Sequence, residues 1–136
     1  MATRNYGRAG TTYVNPIACK GGPKYSPGEI IMIGADGYAK QGVAEDGDLP
    51  GGVCERYLDT TGASDGQFSL SVEYGGDYVE VDNSTGADAV LITDYNAPVY
   101  TLDVNSVSRL SSGKSKLGIF KGFNASGRVR VQVLPN

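Results

Sequence analysis

From Glu29 onward the chain alternates short apolar runs with turn residues, and the pattern predicts strand after strand. Glu29-Ile30-Ile31-Met32-Ile33 is followed by Ala35-Asp36-Gly37 and then Tyr38-Ala39-Lys40. Asp-Gly between two such runs predicts a hairpin, because both turn residues tolerate positive φ. Gly52 to Tyr57 is a further short strand. Gln67 to Tyr74 alternates, with Phe68, Leu70, Val72 and Tyr74 on one face and Ser69, Ser71 and Glu73 on the other. Gly75-Gly76 turns the chain into Tyr78–Val81. Val99–Leu102 and Ser106–Arg109 form a hairpin around Asp103-Val104-Asn105. Lys116–Phe123 and Arg128–Leu134 form the last pair, with Val129, Val131 and Val133 on one face and Arg128, Arg130 and Gln132 on the other. Only Asp88–Tyr95 has room for a helical turn, since no 3.6-residue apolar period runs longer.

The order of these elements repeats. Pro27, the run Glu29–Ile33, a turn, Tyr38-Ala39-Lys40, a loop, Gly52-Val53 and the alternating strand 67–74 make the first unit. Pro98, Val99–Leu102, a turn, Val107-Ser108-Arg109, a loop, Gly118-Ile119 and the strand 128–134 make the second. Two such units would close their sheets into a small barrel or sandwich and remove exposed edges. The expected fold is therefore all-β, a small barrel or sandwich of short antiparallel hairpins.

Residues 1–28 break the pattern. Prolines at 16, 23 and 27 and the run Lys20-Gly21-Gly22-Pro23-Lys24 exclude helix and interrupt strand. Tyr6, Tyr13, Val14, Ile17 and Tyr25 nevertheless make the segment more adhesive than a solubilising tail. The reading is an extended N-terminal arm over 1–28 and a β-barrel-like core over 29–136. Aromatics mixed with Arg, Gly and Asn suit a segment that orders on a partner, so Arg4, Tyr6, Arg8, Tyr13 and Tyr25 are the candidate partner-binding residues.

Composition agrees with this picture. A chain of 136 residues makes one domain and buries enough surface to stand without disulfides or a metal. Its 20 glycines have no triplet period and lie between alternating segments, which marks tight turns and excludes collagen. Cys19 and Cys54 lack CxxC spacing and read as reduced, partly buried thiols. No apolar run reaches the ~20 residues of a membrane span, and the first residues lack the apolar stretch of a secretory leader. Net charge is −3, unevenly spread. Residues 1–24 carry Arg4, Arg8, Lys20 and Lys24 without an acid, the middle of the chain holds all 15 acids, and residues 109–136 are again basic. Either the oppositely charged segments pair across a sheet, or a basic arm reaches for an acidic neighbouring surface.

Candidate chemistry is sparse. The chain has no histidine, which removes the commonest general base, the usual Ser and Cys triads and most transition-metal sites. Gly113-Lys114-Ser115 imitates the tail of a phosphate loop, but Ser108 stands where the earlier glycine belongs and no helix follows. Most acids sit in turns, where Asx geometry explains them. Glu45-Asp46-Gly47-Asp48 lacks the alternating spacing of a calcium loop and reads as a solvated acidic loop. The acidic middle argues against direct nucleic-acid binding. The expectation is a non-enzymatic protein without cofactor or metal. A carboxylate hydrolase is a weaker reading, requiring two acids to converge in one cleft.

The segments "GEIIMIGADGYAKQ", "GGVCERY", "ADAVLITDYNAPVYTLDVNSVSRL", "KLGIFKGF" and "GRVRVQV" follow one another in an order that resembles the small capsid decoration, or cement, proteins of tailed bacteriophages. The resemblance runs from Pro27 to Val133. It implies a β-barrel-like module added to the outside of an assembled head, in a virion put together in the host cytoplasm. It further implies a homotrimer, with a dimer as second choice, that binds the major capsid protein and clamps neighbouring subunits. The loop 58–66 and the length of the segment 1–28 depart from the shortest members. A receptor- or glycan-binding β-module of a virion or cell surface is the alternative reading.

Overall fold

The computed structural model describes residues 13–74 and 78–133, and it is mostly strand. Among the described residues, twelve strands follow in order: β1 (Tyr13–Ala18), β2 (Lys24–Tyr25), β3 (Ile30–Ile33), β4 (Ala39–Gln41), β5 (Leu49–Cys54), β6 (Leu58–Asp59), β7 (Ser69–Tyr74), β8 (Val79–Asn83), β9 (Pro98–Thr101), β10 (Ser106–Ser108), β11 (Lys116–Phe123) and β12 (Val129–Gln132). A single turn of 3-10 helix, Ile92–Asp94, falls within the Asp88–Tyr95 stretch expected to hold a helical turn, and a second, Gly86–Asp88, lies just before it.

The strands form two copies of one arrangement. The first sheet has the order β1-β7-β5-β3-β4, and the second runs β8-β12-β11-β9-β10 and closes into a barrel through a parallel β10–β8 contact. The first sheet closes at the same place through one parallel bridge, Cys19 to Ala39. The two copies also match in register. Val53 opposes Glu73 and Cys54 opposes Val72, while Ile119 opposes Gln132 and Phe120 opposes Val131. Ile31 opposes Gly52 and Met32 opposes Pro50, skipping one residue; Val99 opposes Gly118 and Tyr100 opposes Lys116, skipping one residue at the same point. The repeat read from the sequence is thus a repeat of strand order, bulge and closure.

Gly52 and Gly118 show why so little sequence identity suffices. A Cβ at Gly52 would lie 2.0 Å from the Glu73 carbonyl oxygen, and one at Gly118 would lie 2.2 Å from that of Gln132. Gly52 also has φ +138°, a conformation that side chains disfavour. The backbone approach at this bulge demands glycine in both copies, whereas core positions need only apolar volume.

Alternation explains the cores. In β12, Val129 and Val131 point inward with Val133, and all three are buried. On the outer face, Arg128 pairs with Asp82 at 3.0 Å and Arg130 with Glu80 at 3.5 Å across the β12–β8 ladder. Arg109 likewise grips Asp94 and Lys114 approaches Asp88, so the basic C-terminal segment pairs with the acidic middle of the chain. The second barrel is filled by Val81, Val99, Val107, Leu117, Phe120, Val129 and Val131. Each side chain of this kind contributes about 1.5–3 kcal/mol by leaving water. The first barrel is filled by Cys19, Tyr25, Ile31, Ala39, Cys54, Leu70 and Val72. Cys54 stands where the second copy has Phe120, and Tyr25 adds a large ring to this smaller core. The outer face of β3 and β5, with Ile30, Met32 and Val53, joins the apolar cluster of the second barrel.

The boundary expected at residue 28 divides one sheet. β1 pairs with β7 from Tyr13–Tyr74 to Ala18–Ser69, and β2 pairs with β6. An extended arm is therefore not what residues 13–28 form: they supply the fifth strand of the first barrel and the small β2–β6 ribbon. Pro16 is compatible with this because β1 is an edge strand, where sheets accept proline.

Candidate protein interface

Of the five residues expected to bind a partner, Arg4, Tyr6 and Arg8 lie outside the described residues. Tyr13 opens β1 and is 54% exposed. Tyr25 does not reach the surface, which corrects its expected role. Its ring is fully buried in the first core, and its hydroxyl donates to the Lys20 carbonyl at 2.7 Å. The β2–β6 ribbon holds Tyr25 inside, because Thr60 donates from both its amide and its hydroxyl to the Pro23 carbonyl.

What remains is an edge. β1 is paired along one side with β7; on its other side, among the described residues, contacts lie past its end, where Cys19 bridges Ala39 and the Lys20 amide donates to the Ala39 carbonyl at 2.9 Å. Tyr13, Val14, Asn15 and Pro16 are all exposed, and the Tyr13 ring leans on Tyr74 with centroids 6.1 Å apart. The equivalent strand of the second barrel, β8, buries Val79 at the position Asn15 holds in β1. The first four residues of β1 are thus solvent-facing, while Ile17 still packs on the first core; the equivalent strand of the second barrel faces its core at both Val79 and Val81. Sequence reasoning found Tyr13 through its aromatic character, but it missed Tyr74, whose partner lies across a sheet contact that local pattern cannot reveal.

A cleft of about 680 Å³ lies near the other edge of this sheet, lined by Lys20, Asp36, Lys40, Glu45 and Asp48 among others. Lys20 sits between Asp36 and Asp65, 2.9 Å from each. These hydrogen bonds raise the lysine pKa and hold both carboxyls below their ordinary range. Lys40 contacts Glu45 at 2.9 Å and Asp48 at 3.0 Å. Burial works against its charge, but the two carboxylates outweigh it and its pKa is raised. Asp48 is nearly buried, so this part of the acidic loop is an ion-pair anchor rather than solvated. Both lysines are therefore held protonated, the wrong state for a nucleophile or base.

The two thiols are similarly quiet. Burial pushes Cys54 up to about 11 and raises Cys19 as well. Cys54 Sγ contacts the Arg56 carbonyl at 3.1 Å and Cys19 Sγ the Phe68 carbonyl at 3.4 Å. Neither has the electropositive, accessible setting of a reactive cysteine. Ser115, in the sequence that imitates a phosphate loop, is buried and spans two backbone groups of the acidic loop, the Asp48 amide and the Glu45 carbonyl. No helix of the described residues is long and apolar enough to cross a membrane. No family model, curated protein or solved structure matches this chain.

Proposed function

We propose that this chain is a non-enzymatic structural protein that binds the outside of a tailed-phage head and stabilises contacts between major capsid subunits. The observation that carries the reading is the edge of β1. A strand held from one side presents backbone N–H and C=O groups to whatever lies beside it, and exposed Tyr13 and Val14 add apolar anchors. The order of segments from Pro27 to Val133 supports the phage assignment. The protonated lysines and buried thiols support a binding rather than a catalytic role. Repetition of one modest contact around the shell converts it into avidity.

The test uses heads stripped of this protein. Add-back of the purified chain restores resistance to heat or chelator, and a variant lacking residues 1–12 with Tyr13→Ala binds at least about tenfold more weakly. Residues 13–25 are kept, because deleting them would remove a strand and a core tyrosine. Full-length protein that neither binds nor stabilises stripped heads overturns the reading.

A further inference from the structure

The two barrels touch through non-equivalent surfaces. From the first comes the outer face of β3 and β5, where Ile30, Met32 and Val53 are buried. From the second comes the end of the barrel: the Val104 carbonyl accepts from the Ile30 amide at 2.6 Å, and the Thr101 hydroxyl donates to the Val43 carbonyl at 2.9 Å. Ser115 Oγ, at the start of β11, accepts from the Asp48 amide at 3.0 Å.

The shared register identifies the same two surfaces where they are free. On the second barrel, the positions of Ile30, Met32 and Val53 are held by Pro98, Tyr100 and Ile119. All three have kept apolar or aromatic character, yet each is only half-buried. Their neighbours Val99 and Thr101 point inward, so Pro98 and Tyr100 face outward, where a wet sheet face is normally polar. On the first barrel, the position of Ser115 is held by Leu49, which is 54% exposed. The registers put Leu49 at the end of the first sheet where β7 finishes and β1 begins, away from the β2–β6 ribbon, which lies beyond Cys54 and Cys19. Charge is complementary too: exposed Lys116 pairs with Tyr100 in the β11–β9 ladder, and the loop before Leu49 carries excess acid, with Glu45 and Asp48 sharing Lys40 and Asp46 exposed.

We infer that a second copy of this chain docks head-to-tail, its Leu49 rim against the Pro98–Tyr100–Ile119 face, repeating between molecules the contact made within one. Such an interface is heterologous, and it closes into a ring when the rotation between copies allows. It requires no capsid.

Sedimentation velocity from about 1 to 100 μM reads the outcome. The wild-type chain assembles, whereas Tyr100→Glu and Leu49→Glu are each monomeric with melting cooperativity retained. Mixed in equal amounts, the two variants form dimers and stop there, since each supplies the surface the other lacks. Lys116→Glu, at an exposed position outside both cores, weakens assembly about tenfold. A wild-type chain monomeric throughout, an assembly that survives Leu49→Glu or that Lys116→Glu leaves unweakened, or a mixture of folded variants that forms no dimer overturns the proposal.

Discussion

Cys19 and Ala39 form the single parallel bridge that closes the first barrel, and Asn83 and Val107 form its counterpart in the second. A buried thiol and a methyl group in one copy do the work of an amide and a valine in the other. The amide of Asn83 reaches further: its Oδ1 accepts from the Val90 and Ser84 amides and its Nδ2 donates to the Val90 carbonyl. The seam is conserved in geometry while its side-chain chemistry has changed completely.

The glycines at the shared bulge give the first prediction. Gly52→Ala and Gly118→Ala each drive a methyl group onto a carbonyl oxygen, and each lowers stability by about 1–3 kcal/mol. Gly52→Ala stands at the upper end because its φ is also positive. Alanine at Gly113, where nothing lies within 4 Å of the added Cβ, costs less, about 1 kcal/mol, from its φ of +68° alone. Urea titration of the three variants checks the order.

Acid sensitivity follows from the ion pairs. Asp36, Asp65 and Asp94 are held below the ordinary carboxylate range, the first two by Lys20 and the third by Arg109. A depressed folded-state pKa means the stabilisation is complete above the unfolded value, near 4, and fades as pH falls through the folded value. The urea midpoint is accordingly flat from neutral pH to about 5 and drops below 4. Lys20→Met removes the partner of two of these groups and makes the acid-side decline shallower. An unchanged profile contradicts the assignment.

Thiol labelling tests the cores. With Cys54 near 11 and both sulfurs buried, a disulfide reagent at pH 8 leaves the folded protein unmodified over minutes and titrates two thiols once urea unfolds it. Rapid modification of either cysteine in the folded chain would be inconsistent with these cores.

Tyr25 separates folding from binding. Tyr25→Phe deletes the hydroxyl that satisfies the Lys20 carbonyl and lowers stability by about 1 kcal/mol, without weakening the proposed attachment to a capsid. Tyr13→Ala does the reverse, sparing stability and weakening attachment. Equal effects of both substitutions on binding would remove the distinction drawn between the buried and exposed tyrosines.

Much of the fold is legible in the order of residues. Asp36-Gly37, Asp103–Asn105 and Asn124–Gly127 announce their turns, and the alternation of Val129, Val131 and Val133 announces the inner face of β12. β1 was not legible as a barrel strand, because it is an edge strand with an outward Tyr-Val-Asn-Pro stretch and its partner lies more than 50 residues away. β2 and β6 have two residues each, too few for any period, so the burial of Tyr25 had no local signal. The candidate interface was legible only at Tyr13. Its other half depends on a strand being left open, a property of topology rather than of any residue type.

The most direct measurement of the proposed function is an electron cryomicroscopy map of tailed-phage heads incubated with this chain. The account predicts density on the outer surface that fits two adjacent five-stranded barrels, with Tyr13–Ala18 against a major capsid subunit. Density inside the shell, no density on heads, or a β1 edge turned toward solvent would contradict it.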